Sequence, residues 1–274
     1  MTLQEKQEAF IQHLKQYHHA AVAFSGGVDS AFLLKAAQEA LENRIVAVTV
    51  NSRVFPKREA DEAAAFCRQY GIRQILVPVD ELSIEGFAQN PANRCYLCKR
   101  ELFGRILHIA KQEGMDAVLE GSNLDDEKDY RPGRLAIAEL GIKSPLSESG
   151  MTKAQIRLLS RQMGLATWDK QSFACLASRF VYGETITEEK LTMVDKAEQK
   201  LYELGFQQFR VRIHGSLARV EVMPEDFKKL AGPGIREQVA ESLRQYGFTY
   251  VTMDLNGYRT GSMNEAVLHA NNEP

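Results

Sequence analysis

The sequence predicts an α/β protein, with a doubly wound parallel sheet over residues 1–180 and a smaller α+β domain over 181–274. Three observations carry this prediction. Short apolar runs alternate with helix-period segments from Leu3 to Gly164. One run, IVAVTV at 45–50, is almost continuously apolar, as expected of a parallel strand covered on both faces. Past Phe180 the pattern changes to one long helix followed by alternating strands. Strands alternating with helices wind into a parallel sheet that binds ligands at the carboxyl ends of its strands.

In chain order, 3–17 reads as an amphipathic helix with Phe10, Ile11 and Leu14 inward. Residues 21–24 form a short buried strand, and 30–41 a helix with Leu33, Ala36, Ala37 and Ala40 on one face. After the 45–50 strand comes a helix over 57–70, stopped by Gly71, and a third strand at 75–79. A polar, proline-containing loop over 81–94 leads to a helix over 95–113. The fourth strand, 117–120, feeds a polar loop at 121–133, and a further helix spans 152–163. In the second domain, Thr187 caps a helix over 187–204, with Glu188 and Glu189 favourable in its first turn. Strands follow at 209–214, 217–222 and 250–254, with helical segments at 224–230 and 235–246.

Composition narrows the function classes. The chain has 274 residues, 44% of them apolar and 26% charged, which suits a globular protein of one large or two modest domains. A net charge of −2 argues against a broad nucleic-acid surface. No apolar run reaches the roughly 18 residues of a membrane helix, and the opening MTLQEKQEAF has no signal-peptide core. The expectation is a cytoplasmic protein with no membrane partner, in which four cysteines point to metal or catalysis before disulfides.

The most informative stretch is AVAFSGGVDS, Ala21 to Ser30. Gly26 and Gly27 let the backbone turn tightly and approach a ligand. The helix that follows offers unpaired N–H groups and the positive end of its dipole. Ser25, Gly26, Gly27, Asp29 and Ser30 therefore read as an anion cradle. The stretch lacks the lysine of a Walker A loop and the spacing of a dinucleotide fingerprint. The order S-G-G-x-D-S resembles the pyrophosphate loop of the N-type ATP pyrophosphatases, which cleave ATP between the α and β phosphates and attach AMP to a substrate oxygen. That resemblance implies ATP, with Asp29 beside the pyrophosphate and Mg²⁺ close by.

Cys95 and Cys98 form C-x-x-C at a helix start, which puts both sulfurs on one side of a turn. Cys175 lies far downstream. The pair alone is compatible with a redox couple, half a zinc site or chance, but no thioredoxin-like surround and no second ligand pair is visible. Three cysteines also suit a [4Fe–4S] cluster with one iron open. Cys67 continues the series Ala60, Ala63, Ala64 on the inward face of a helix and reads as a core residue.

With these residues in hand, nearly the whole chain resembles the LarE family of ATP-dependent sulfur transferases of nickel-pincer cofactor synthesis. The resemblance rests on SGGVDS, DDEKDYRPG (125–133), the segment from Cys175 to Gly183 with SRFxYG, FRVRIH (209–214) and DLNGYRTGSMN (254–264). It implies adenylylation of a carboxylate of pyridinium-3,5-biscarboxylic acid mononucleotide, followed by displacement of AMP by sulfur to leave a thiocarboxylate. One branch of the family gives up the sulfur of a single cysteine, at the place of Cys175. The other holds a [4Fe–4S] cluster on three cysteines and takes its sulfur from a sulfide donor. The pair Cys95 and Cys98 points to the cluster branch. The family's assembly implies a homo-oligomer.

The acidic loop of Asp125, Asp126, Glu127 and Asp129 follows the fourth strand. It is either a Mg²⁺-holding edge of the nucleotide site or an ordinary solvated loop; Arg131 and Arg134 follow it. Arg210, Arg212 and His214 alternate with Val211 and Ile213 on one strand face. The resemblance implies that Arg210 and Arg212, with Arg259, grip the substrate phosphate, a task that suits guanidinium forks; the competing reading is a solvated face. It also places Glu198 and Glu221 near substrate or metal. Trp168 and Phe173 read as packing residues near the domain junction. Three rivals remain: a tRNA thiolase, which needs an RNA surface; an ammonia-using ligase, which gives the cysteines no role; and a nucleotide-binding regulatory module.

Overall fold

The computed structural model describes residues 2–128, 132–171 and 174–264. The chain divides into two units, Met1–Asp80 with Cys95–Phe173 and Glu81–Arg94 with Ala174–Pro274. This partition differs from a boundary at 180/181. Glu81–Arg94, a polar loop of the first domain by sequence, is tied into the second unit by hydrogen bonds. Gly183 N–H donates to the Asn90 carbonyl at 2.9 Å and Ile186 N–H to that of Ala88 at 2.8 Å. The Asn90 amide donates to the Val181 carbonyl at 2.6 Å, and the buried Arg94 guanidinium to that of Ala177 at 2.9 Å.

In the first unit the order is α1 (Leu3–Leu14), β1 (Ala20–Ala23), α2 (Val28–Leu41), β2 (Ile45–Asn51), α3 (Lys57–Gln69) and β3 (Gln74–Pro78). Then come α4 (Arg94–Gln112), β4 (Ala117–Leu119), α5 (Gly133–Glu139), α6 (Pro145–Glu148) and α7 (Lys153–Gln162). The sequence reading missed only the short α5 and α6, which offer too few turns for a periodic signal. The four strands are parallel in the order β3-β2-β1-β4, with Ala20 opposite both Ile45 and Ala117. The order reverses at β1: the chain runs outward to β3 and returns to β4 on the other side. The carboxyl ends of β1 and β4 therefore flank a crevice, where open α/β sheets bind ligands.

The pleat sends alternate strand residues into two cores. Ala20, Val22, Ile45 and Ala47 pack with α1, α2, α3 and α7, while Ala21, Val46 and Val48 pack with α4 and α5. The α2 helix is apolar nearly all round: Ala31, Phe32, Leu33, Leu34, Ala36, Ala37 and Leu41 are all buried, beyond the single face its periodicity suggests. Thr2 and Thr152 close capping boxes on α1 and α7 and fix where those helices begin. Cys67 is buried among these residues, and burial pushes its thiol up to about 11, as befits a core cysteine.

The second unit has α8 (Glu188–Glu203), β5 (Phe209–His214), β6 (Leu217–Val222), α9 (Phe227–Ala231), α10 (Ile235–Gln245) and β7 (Tyr250–Met253). Its sheet runs β5-β6-β7, antiparallel between β5 and β6 and parallel between β6 and β7. Thr187 caps α8 by accepting from Lys190 N–H. The competing reading of β5, a solvated face, is not what the structure shows: Arg210 and Arg212 are buried, as are Val211 and Ile213.

Phe32 is fully buried and stacks on Phe10, with ring centroids 5.7 Å apart. Phe32→Ala is expected to cost about 3–5 kcal/mol, read as a lower urea midpoint with an unchanged slope.

Candidate active site

The glycine-rich turn joins β1 to α2 at the crevice. Gly26 has φ +75°, a conformation that side chains rarely adopt, and a Cβ there would lie 3.2 Å from that of Ala63. Gly27 caps α2 with no side-chain hydrogen bond of its own, and its N–H makes a long 3.5 Å bond to Ser25 Oγ. Ser25 and Ser30 tie the turn across itself. Their hydroxyls are 3.1 Å apart, Ser25 N–H donates to Ser30 Oγ at 3.3 Å, and Ser30 Oγ donates to the Gly27 carbonyl at 3.1 Å. The end of β4 closes in from the side: a Cβ at Gly121 would sit 3.1 Å from Ser30 N. Backbone, not side chain, therefore lines this helix start, the arrangement that receives phosphate oxygens.

Acids and lysines surround the cradle. Asp29 Oδ2 pairs with Lys153 Nζ at 2.5 Å, and Asn123 Nδ2 donates to Asp29 Oδ1 at 3.4 Å. Asp125, from the loop after β4, accepts from Lys153 N–H at 2.8 Å. Asp126 accepts from Asn123 N–H at 3.0 Å, so Asp125 and Asp126 have defined partners and are not simply solvated. Asp129, Arg131 and Phe173 lie outside the described residues, as does the side chain of Glu127. On the other side, Lys170 Nζ donates to the Gly26 carbonyl at 3.1 Å and pairs with Glu59 at 2.8 Å and Glu62 at 2.6 Å. Trp168 is partly exposed, with the Arg161 guanidinium 5.0 Å from its ring centre.

None of the four cysteines is in a disulfide. Cys95 and Cys98 are half-buried in the first turns of α4, in the first unit, and Cys175 is half-buried at the start of the second-unit segment. Among the described residues no three His, Cys, Asp or Glu side chains are gathered as a metal site.

The second unit holds a buried charge cluster. Arg179 and Glu198, both fully buried, form a two-pronged pair with two contacts of 2.8 Å. Burial works against both charges, but mutual attraction prevails: it lifts the Arg179 guanidinium and holds the Glu198 carboxyl below the usual carboxylate range. Arg212 grips Glu221 Oε2 at 2.9 and 3.1 Å, and Arg219 reaches Glu221 at 3.2 Å and Asp254 at 3.4 Å. The turn carrying half-buried Arg259 lies against the same cluster: Tyr258 stacks 5.1 Å from the Arg210 guanidinium, and Ser262 bonds Arg212 and Glu221. Burial, then repulsion from Arg179, pushes Arg210 down to about 10. Among the described residues Arg179, Arg210, Arg212 and Arg219 meet Glu198, Glu221 and Asp254 here. Sequence reasoning found Arg210, Arg212 and Arg259 but gave no role to Arg179, although it stands in the SRFxYG segment.

A helix start lined by backbone at a switch point, flanked by hard-oxygen acids, defines a PP-loop nucleotide-binding protein, and the PP-loop domain family matches residues 1–128. A pyridinium-3,5-bisthiocarboxylic acid mononucleotide synthase of Lactiplantibacillus plantarum is 36% identical over 274 aligned positions, covering 98% of this chain and 97% of that protein. The chain belongs to that family, the LarE family. An uncharacterized protein of Synechocystis sp. is 39% identical over 265 residues, 97% of this chain and 99% of its own. More distantly, one component of a glutamine-hydrolysing GMP synthase of Methanococcus maripaludis is 28% identical over 200 residues, 64% of this chain and 60% of its own. No helix among the described residues is long and apolar enough to cross a membrane.

Removing one partner of a buried ion pair strands the other. Glu198→Gln is therefore expected to destabilise the protein by about 3–5 kcal/mol in urea titrations at neutral pH. Because the Glu198 carboxyl is held low in the folded state, its contribution is complete above the usual carboxylate range. It fades as pH falls through that range and below, so the gap between variant and wild type should close in acid.

Proposed function

We propose that this chain converts a carboxylate of pyridinium-3,5-biscarboxylic acid mononucleotide to a thiocarboxylate at the expense of ATP. The observation that carries the proposal is the backbone-lined cradle at Gly26–Ser30 in a chain that aligns over 98% of its length with the L. plantarum synthase. A carboxylate resists substitution because a negative oxygen must leave. The substrate carboxylate attacks the α-phosphorus of ATP, and the α–β bridging bond breaks to release pyrophosphate. Sulfide then attacks the acyl adenylate, the C–O bond to AMP breaks, and AMP leaves with the electron pair. Where the Cys175 thiolate attacks instead, AMP leaves in the same way, and the thioester releases the thiocarboxylate by loss of the Cys175 α-proton to a base and cleavage of its Cβ–Sγ bond, leaving dehydroalanine.

In this scheme the first turn of α2 and the Ser25–Ser30 hydroxyl pair orient the pyrophosphate portion of ATP. Asp29 and Asp125 supply the hard oxygen ligands that Mg²⁺ prefers; the ion neutralises charge on the phosphates when bound. The guanidinium groups of Arg210 and Arg212, with Arg259, receive the phosphate of the pyridinium mononucleotide; the fit of guanidinium forks to phosphate oxygens supports this role. Subunits of this chain associate as a homo-oligomer, and the work is done in the cytoplasm without nucleic acid.

For the sulfur source, the helical pair Cys95 and Cys98 together with Cys175 offers thiolates, the donors that hold a [4Fe–4S] cluster. Such a cluster would keep a transferable sulfide deprotonated, resupplied by a sulfide donor. The thiols are available by residue type, and the helical spacing of Cys95 and Cys98 favours this route over the second one, sacrifice of the Cys175 sulfur to leave dehydroalanine.

The purified chain, reconstituted anaerobically, is expected to release pyrophosphate from ATP only when the pyridinium diacid is present. Absence of that release would overturn the activity. Mass spectrometry after turnover distinguishes the sulfur routes. An unchanged polypeptide after many turnovers, with iron lost in Cys95→Ala, supports the cluster; loss of the elements of H₂S at Cys175 supports sacrifice.

A further inference from the structure

Lys153 and Lys170 both reach the phosphate cradle, but they are held very differently. The Lys170 side chain is only 13% exposed and is gripped by Glu59, Glu62 and the Gly26 carbonyl. Three acceptors fix it, and it holds Gly26 in place. Lys153 is 31% exposed at its side chain, and among the described residues its ammonium rests on one carboxylate, that of Asp29, itself 23% exposed. The Lys153 backbone is anchored independently. It follows the Thr152 cap of α7, whose box with Gln155 is complete, and its N–H donates to Asp125 at 2.8 Å. The residue thus has a fixed root and a movable ammonium.

We propose that Lys153 occupies the cation position on Asp29 in the nucleotide-free protein, yields it to the divalent ion that accompanies ATP, and then binds the polyphosphate. This rests on reading Gly26–Ser30 as the ATP cradle. Asp29 sits in the first turn of α2, beside the N–H groups where phosphate oxygens land. An uncompensated carboxylate there would repel the nucleotide, and Lys153 Nζ at 2.5 Å supplies the compensation. The same Oδ2 is a hard ligand for a divalent ion, and two cations brought to one oxygen repel each other, so ammonium and metal compete for it. Asn123 donates to the other oxygen, Oδ1, at 3.4 Å. When the metal takes Asp29, the displaced ammonium keeps its anchored root, and the polyphosphate is the new anion within the crevice. Lysine suits such an exchange: a compact charge on a four-carbon stem with three rotatable donors, unlike a guanidinium committed to a bidentate grip.

The exchange predicts effects of opposite sign. In Lys153→Met, Mn²⁺ alone, followed by electron paramagnetic resonance titration, should bind severalfold tighter than in wild type, because its competitor is gone. Binding of the Mg²⁺ complex of α,β-methylene-ATP, measured by calorimetry, should weaken about tenfold or more. Lys153→Arg should keep the competition and recover part of the nucleotide affinity. A Met variant that weakens both ligands, or changes neither, overturns the proposal. If the Met variant does not fold, Lys153→Gln undergoes the same two titrations and is read in the same way. Wild type that binds no nucleotide overturns the cradle reading and this one with it; wild type that binds while the variant matches it overturns this one alone.

Discussion

The structure depends on a start of α2 that its capping residue does not close. Most helix starts are closed by a side chain, as α1, α7 and α8 are here by Thr2, Thr152 and Thr187. At α2 the cap is Gly27, which has no side chain to spend. Gly26, at φ +75°, turns the chain sharply enough that β1 runs straight into the helix. The cost of an open helix end is carried by the rest of the unit. Its apolar circumference is buried on nearly every side, so the helix does not rely on its own cap. Topology adds the position: β1 lies where the strand order reverses, so the open end faces a crevice instead of a neighbouring crossover.

Charge is handled by two opposite strategies. Around the phosphate cradle the ions are lysine–carboxylate pairs, part-exposed at Lys153 and more enclosed at Lys170, and elements far apart in sequence bring them together. In the second unit the ions are desolvated and locked in forks, and arginines serve. Burial of this kind is unfavourable unless every fork is matched. Glu198 satisfies that condition by taking both prongs of Arg179 and a backbone N–H from Val211. Arg210 is pushed down by burial and by Arg179.

Much of this was legible in the sequence, because it is written in local period and in backbone chemistry. The strand–glycine–helix order of Ala21–Leu41 needs only neighbouring residues, and the element boundaries agree with it to within a few positions. The alternation of Arg210 and Arg212 was legible as a shared face, but its burial was not. That depends on Glu221 across the β5–β6 ladder and on the turn at Tyr258–Ser262, which a strand pattern does not reveal. Lys153 and Lys170 stand 124 and 144 residues from their partners Asp29 and Gly26. The nearest signal for Lys153 was the T-x-x-Q box that starts α7, which fixes a helix but says nothing of what its first side chain meets. The segment 81–94 misled for the same reason: its polar composition reads as a solvated loop, while its hydrogen bonds run to residues 177–186.

The chemistry ties these features together. Replacing an oxygen of a carboxylate by sulfur requires one reagent that is hard and anionic and another that is soft. Polyphosphate wants backbone N–H groups and ammonium, and both meet at the end of β1. Sulfur wants thiolates, and the sequence supplies them on α4 and at Cys175, away from the SGGVDS turn in the chain. Oxygen donors and sulfur donors on different segments suit metals of different softness. Cys67 fits the same logic from the other direction. Its thiol is pushed up by burial in the apolar core, so it is withheld from a chemistry that needs thiolate.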